Sequence, residues 1–291
     1  MPLTHLLDVP APAKLNLFLH IVGRRADGYH LLQSVFTLID WCDTLHFECR
    51  ADGGISRTDL GPALPAEDLS VRAARALQAA SATTLGVHIS LDKQVPWGAG
   101  LGGGSSDAAT TLLALNRLWG LHWPRSRLLP LALKLGADVP FFVGGRNAWV
   151  EGIGEQLTPI DLPPRQHIVL KPDIAIPTAE IFSSKHLRRD TERHTMAFFA
   201  ANNKLFKNDM QPAACAYSAQ VGQALEILER AYGAAQMSGS GSAVFASVES
   251  NFDAVRLQQG FEDVLATAPS NWQTRLCRSL TEHPLLQWAS D

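Results

Sequence analysis

Between Ala13 and Val22 the chain alternates: Leu15, Leu17, Leu19 and Ile21 fall on one face and Lys14, Asn16, Phe18 and His20 on the other. A period of two predicts a strand with one face in the core and the other partly polar. The polar run Arg24 to Gly28, with its Asp27-Gly28 turn signal, leads to a returning strand at Val35 to Ile39 and another at Leu45 to Cys49. Leu69, Ala73, Ala76 and Leu77 recur at helical spacing over 68–80, and Val87, Ile89 and Leu91 alternate as a strand. Helices are expected over 108–119, closed by Gly120, and over 128–135, closed by Gly136. The second half repeats the mixture: a strand near 167–170, helices within 211–232, a glycine turn at 237–242 and a strand at 243–248. This order predicts an α+β fold with mixed sheets. Pro159, Pro163 and Pro164 place a boundary in the segment 158–164, dividing the chain into 1–158 and 159–291.

Of 291 residues, 46% are hydrophobic and 18% charged, a composition that can build large buried cores. Lys and Arg number 25 against 28 Asp and Glu, so no net basic field is present to hold a nucleic acid or an anionic membrane, and a small molecule becomes the default partner. Met1 to Asp8 lacks a basic segment and does not read as a secretory signal, and no apolar run reaches the ~18 residues of a membrane span. Cys42, Cys49, Cys215 and Cys277 form no CxxC pair, so a reducing, cytoplasmic location is expected. The ten histidines show no HExxH or Cys/His ligand spacing, and no protein metal site is expected. The mixed-sign run Lys185 to His194 reads as a solvated helix or loop.

The most informative stretch is Pro96 to Asp107, where Gly98, Gly100, Gly102, Gly103 and Gly104 crowd into seven positions between a strand and a helix. Glycines let backbone amides approach an anion, and the helix start behind them adds unpaired N–H groups and a positive dipole end. A phosphate cradle is the favoured reading over a merely flexible connection. Gly98, Gly100 and Gly103 satisfy GxGxxG, yet no acid lies between Asp107 and Asp138 to take a ribose, and the Gly-Lys-Ser/Thr of a Walker loop is absent. Ser105 and Ser106 are expected to cap the helix. Asp107 would repel a triphosphate unless turned outward or screened by Mg²⁺.

Three motifs in order, Pro12-Ala13-Lys14-Leu15-Asn16, Pro96 to Ser106 and Met237 to Phe245, resemble those of the GHMP kinases, a family of small-molecule kinases. The resemblance spans nearly the whole chain and implies a two-domain fold with ATP and substrate meeting in the cleft between domains. Arg25 to His30 and Leu135-Gly136-Ala137-Asp138-Val139-Pro140 are most similar to the branch that phosphorylates a hydroxyl of a cytidyl-diphosphate small molecule. The family's Glu-Asp-Asn-Leu, near the adenine, is here Glu67-Asp68-Leu69, which lacks the Asn. A homoserine- or mevalonate-type kinase, or a silent nucleotide or sugar sensor, remain alternatives.

The resemblance implies Asp138 as the base and Lys14 as its cationic partner. Judged on spacing alone, Asp138 is equally an N-cap for a helix near Pro140, with Val139 extended. Lys14 and Asn16 share a strand face about 6.6 Å apart, so both can reach one polar cleft. The ATP contacts expected are Lys93, Pro96, Trp97, Gly98, Ala99, Gly100, Leu101, Gly102, Gly103, Gly104, Ser105 and Ser106, with Gly239, Ser240 and Gly241 as a second backbone nest. Asn16, Tyr29, His30, Phe36, Thr178 and Phe182 are expected around the cytidyl substrate. Mg²⁺ is expected to arrive on the phosphates, without a dedicated protein cage.

Overall fold

The computed structural model describes residues 3–65, 68–249 and 251–291. Its framework is a long antiparallel ladder of β1 (His5–Arg24) and β2 (His30–Arg50), running from His5 opposite Glu48 to Arg24 opposite His30. The separate strands expected at 35–39 and 45–49 are one strand. Pro10 and Pro12, which cannot donate to a ladder, are tolerated because β2 is the one named strand that pairs with β1 among the described residues, and its register shifts at four places, between Leu6 and Val9, Pro12 and Ala13, Asn16 and Phe18, and Ile21 and Gly23.

β3 (Ile55–Asp59) lies parallel to β4 (Gly86–Asp92), which pairs with β2, and α1 (Leu69–Ser81) connects them. α2 (Gly103–Leu118) follows the glycine run, then α3 (Arg125–Leu135), closed by Gly136 as expected, and α4 (Val139–Gly144). Apolar faces of β2, β4, α1 and α2, with Phe47, Leu77, Ile89 and Leu112 fully buried, form the first core. Val139 opens α4 and is not extended, since Pro140 sits at the second helical position, where its missing N–H costs nothing.

β5 (Ala148–Glu151) pairs with β2 and with β6 (Gln156–Pro159). Thr158 and Pro159 are thus ladder residues opposite Trp149 and Ala148, and irregular chain begins only after them; Pro159 fits because it is the last residue of its strand. β7 (Arg165–Lys171) comes next, followed by the short helices α5 (Thr178–Ser183), α6 (Met196–Asn202) and α7 (Gln211–Tyr217) and by α8 (Ala219–Tyr232). β8 (Gln236–Met237), β9 (Val244–Glu249), α9 (Ala254–Thr267) and β10 (Gln273–Leu280) complete the chain order. The second core gathers Ile168, Leu170, Val221, Leu228, Val244 and Val264 together with Leu19 and Ile21 of β1. β10 pairs with β7 and, at Ser279 and Leu280, with β2, so it bridges the two halves. After it the chain returns to the first core: Leu285 packs there, and buried Arg125 donates to the carbonyls of Leu286 and Ala289.

Segment 185–194 is an irregular and largely exposed loop, as expected, fastened to the body at a few points. Leu187 is buried, Thr191 N–H bonds to the Ile21 carbonyl at 3.0 Å, and His194 N–H bonds to Gln33 Oε1 at 2.9 Å. No helix of the described residues is long and apolar enough to cross a membrane.

Candidate active site

Between the two halves opens a cleft of about 400 Å³, walled by β1 and β2, the glycine loop, the start of α4, α5 and the turn between β8 and β9. Along β1 the face expected to be partly polar is buried: Lys14 is 3% exposed and Asn16 1%. A buried ammonium needs partners. The Lys14 Nζ donates to Asn16 Oδ1, lies 3.6 Å from Asp138 Oδ2 and stands 4.6 Å above the Phe36 ring centroid. Burial pulls its ammonium below the usual lysine range, and the nearby Asp138 carboxylate opposes that pull. Asn16 is held in turn by its Nδ2 donating to Ser34 Oγ at 3.0 Å.

Asp138 occupies the N-cap position of α4, yet its side chain makes no capping bond. Its backbone is helical (φ −84°, ψ −17°), so the carboxylate is not folded back over the helix end and remains one-third exposed in the cleft. The position is thus the N-cap by place but not by bonding, and the carboxylate's ionic partner is Lys14.

The glycine loop departs from expectation in an instructive way. α2 begins five residues before Ala108, with Gly102 at its N-cap in left-handed backbone (φ +72°) and no side-chain cap. Ser105 and Ser106 therefore lie inside the first turn. A capping side chain would occupy N–H groups that an anion can otherwise receive. Pro96 through Ser105 line the cleft, but Ser106 is fully buried behind it. Lys93 also does not reach the lining. Its ammonium lies under the loop, donating to Asp43 and, at 2.6 Å, to Asp107. Two carboxylates outweigh burial and raise the lysine, whereas burial, reinforced by Asp43 and resisted by Lys93, drives the Asp107 carboxyl well above the ordinary range. Asp107 thus turns neither outward nor toward phosphate. Asp43 was not expected: as one of three acids in β2, with Asp40 and Glu48, it carries no sequence signal of its own. It also accepts the Gln94 and Val95 N–H groups at 2.6 and 2.7 Å, fixing the entry to the loop.

The late turn is laced to the loop. Gly100 (φ +75°) approaches so closely that a Cβ there would collide with the Ser238 carbonyl. Ser238 Oγ donates to the Gly100 carbonyl at 2.9 Å and accepts the Asn16 N–H at 3.2 Å, and Ala243 N–H bonds to the Ala99 carbonyl at 3.1 Å. Gly239, Ser240 and Gly241 then face the cleft, with Ser240 Oγ 2.9 Å from Thr178 Oγ1.

The expected cytidyl contacts divide between two hollows. Asn16, Phe36, Thr178 and Phe182 line the cleft, whereas Tyr29 and His30 line an adjoining hollow of about 720 Å³ that shares Leu32, Ile153 and Phe182 with it. His30 and Phe182 stack at 4.7 Å and 16°, and Tyr29 is 61% exposed. Burial, with Arg189 and Arg24 adding, keeps the His30 imidazole below its usual range and hence neutral. Near the adenine motif, Glu67 lies outside the described residues. Asp68 caps α1 by accepting the Val71 N–H at 3.1 Å and pairs with Arg57 at 2.6 Å, leaving Leu69 to line the cleft.

Comparison with known proteins agrees with this geometry. Family models match at residues 68–146, described as the GHMP kinases N terminal domain, and at residues 191–266, described as GHMP kinases C terminal. The chain is 62% identical over 291 residues to 4-diphosphocytidyl-2-C-methyl-D-erythritol kinase of Methylibium petroleiphilum, covering 99% of this chain and 100% of that one. It is 58% identical over 299 residues to the enzyme of the same name from Polaromonas naphthalenivorans, covering 99% and 97%. Among solved structures, a 4-(cytidine 5'-diphospho)-2C-methyl-D-erythritol kinase superposes with a TM-score of 0.76 at 32% identity, covering 94% of this chain and 98% of that one. A homoserine kinase from Cytophaga hutchinsonii gives 0.68 at 16% identity, covering 95% of each, and shares the fold alone. With a glycine loop, a late backbone turn and a lysine–carboxylate pair around one cleft, and relatives matching along its whole length, the chain belongs to the GHMP kinase family.

Proposed function

We propose that the chain transfers the γ-phosphoryl group of ATP to the 2-hydroxyl of 4-diphosphocytidyl-2-C-methyl-D-erythritol, in the cytoplasm, in isoprenoid precursor biosynthesis. The family uses ATP as phosphate donor, generally with a divalent metal, and the full-length relatives above carry this activity in their names. The observation that carries the catalytic reading is the Asp138 carboxylate, making no capping bond, 3.6 Å from a buried lysine and lining the same cleft as the glycine loop.

In this reading Asp138 accepts the hydroxyl proton as the oxygen attacks the γ-phosphorus, and the bond to the β–γ bridging oxygen breaks to release ADP. Lys14, paired with that carboxylate, offsets charge on the transferring group. Amides of the loop and of the 239–241 turn receive the phosphates, while the His30–Phe182 stack and Tyr29 offer aromatic faces to the cytosine. Asp138 is the one carboxylate among the described lining residues, a donor set too lean to cage a cation. It fits an Mg²⁺ ion held mainly by phosphate oxygens, whose charge would neutralise those oxygens. The division at 158/159 into an ATP-side and a substrate-side half belongs to the same reading.

The test is ADP release with the cytidyl substrate, homoserine and mevalonate in parallel. Turnover confined to the first supports the assignment. Preference for either of the others reassigns the substrate, and ATP binding without turnover on any of them leaves only the sensor.

A further inference from the structure

Phe182 stands where the cleft and the adjoining hollow meet, with His30 stacked on it, yet the helix that carries it is short. α5 has six residues, and a helix below about 12 residues is marginal on its own. Buried Ile181 anchors it to the second core, where Phe182 is only partly packed. Its last turn leaves carbonyls without partners inside the helix, that of Phe182 among them. Support for the position of the ring must therefore also come from outside the helix.

Arg189 supplies it. Its Nη2 donates to the Phe182 carbonyl at 2.7 Å and to the Ser184 carbonyl at 3.0 Å, and its Nη1 donates to the Leu187 carbonyl at 3.0 Å. A planar guanidinium presents its donors in a fixed fork, so this one side chain closes the loop from 182 to 189 onto itself. The base of the fork is fastened too. Leu187 is buried, and Thr191 bonds to the Ile21 carbonyl through its N–H at 3.0 Å and to Asp209 Oδ2 through its hydroxyl at 2.7 Å. Arg189 itself lines neither the cleft nor the hollow. Its charge still reaches the ring pair: after burial, it is the next influence keeping the His30 imidazole below its usual range.

We infer that Arg189 is a positioning residue for the base-binding end of the site, fixing through the Phe182 carbonyl the ring that stacks on His30 without itself touching the ligand. That the ring pair receives a cytosine rests on the proposed function; the bracing of the pair does not.

Arg189→Met keeps a long side chain and removes every donor. In the ligand-free protein, NOEs between the His30 and Phe182 rings are expected in the wild type and should be lost in this variant. With the cytidyl substrate, its KM should rise about three- to tenfold while the KM for ATP holds and kcat changes less than about twofold. A double-mutant cycle separates bracing of the ring from general loosening: added to Phe182→Ala, Arg189→Met should raise KM no further, because the ring it holds is gone. Should Arg189→Met fail to fold, Arg189→Lys, which keeps the charge but not the fork, should give the same changes in smaller measure. NOEs absent from the wild type or persisting in the variant, a loss carried by kcat or by the KM for ATP, or an additive cycle would each overturn the inference. A wild type that does not turn over the cytidyl substrate, with the NOEs lost in the variant as expected, would overturn the substrate assignment and support the bracing.

Discussion

Two lysine–carboxylate clusters sit within this molecule on either side of the glycine loop, and they differ in what is left over. In the Lys14 cluster the lysine is buried but its acid, Asp138, stays one-third open to the cleft. In the Lys93 cluster the lysine and both acids, Asp43 and Asp107, are buried, with side chains 9%, 0% and 2% exposed. The first keeps a carboxylate available to a substrate, and the second spends its charges on one another and on the backbone entering the loop. A lysine before a glycine loop and a lysine within a strand look alike in sequence. Only the disposition of their acids separates a pair open to the cleft from one closed upon itself.

Substitutions that exchange the roles of the two clusters test this contrast. The largest effect is expected in the cleft: Asp138→Asn should lower kcat by about 10²–10⁴-fold with ATP affinity retained, and Lys14→Ala should behave similarly. Steady-state kinetics with nucleotide titration distinguishes the two quantities, and near-normal kcat in both variants would remove the pair from catalysis. Lys93→Met should act on stability first, costing about 3–5 kcal/mol by urea unfolding because it strands buried carboxyl groups. A stable Lys93→Met protein with lost turnover would instead place that lysine in the reaction.

Phe182→Ala tests the aromatic face and should raise KM for the cytidyl substrate about tenfold, with kcat changed far less. The smallest effect is expected from Asp107→Asn. A carboxyl whose pKa is raised by folding contributes stability below its unfolded pKa, and that contribution is lost as pH rises through the folded value. The variant should therefore match the wild type in acid and show a flatter decline of Tm toward alkaline pH. A steeper alkaline decline than wild type would mean the carboxyl is ionised in the folded protein.

Much of this was legible from residue order. The α+β class, α1, β4, the loop and the late turn follow from periodicity and glycine placement, because those signals are local. The extent of β1 and β2 was not, since bulges absorb the prolines and shifts of register that appear to end a strand. The partly polar face of β1 was legible, and Lys14 and Asn16 line the cleft as expected, but the depth of their burial was not, since residues more than a hundred positions away help to cover them. The roles of Lys93 and Ser106 were misplaced for a related reason. Spacing tells that a residue is near the loop, and only packing tells which side of the loop it occupies.

The stitching between Gly100 and Ser238 has one more implication. It joins the floor of the cleft across 138 positions of sequence, with Asn16 tied into the same knot. Any breathing of the enzyme must then pivot about this fastened floor, so entry and departure of reactants depend on the rim, where Trp97 is 69% exposed and Tyr29 61%.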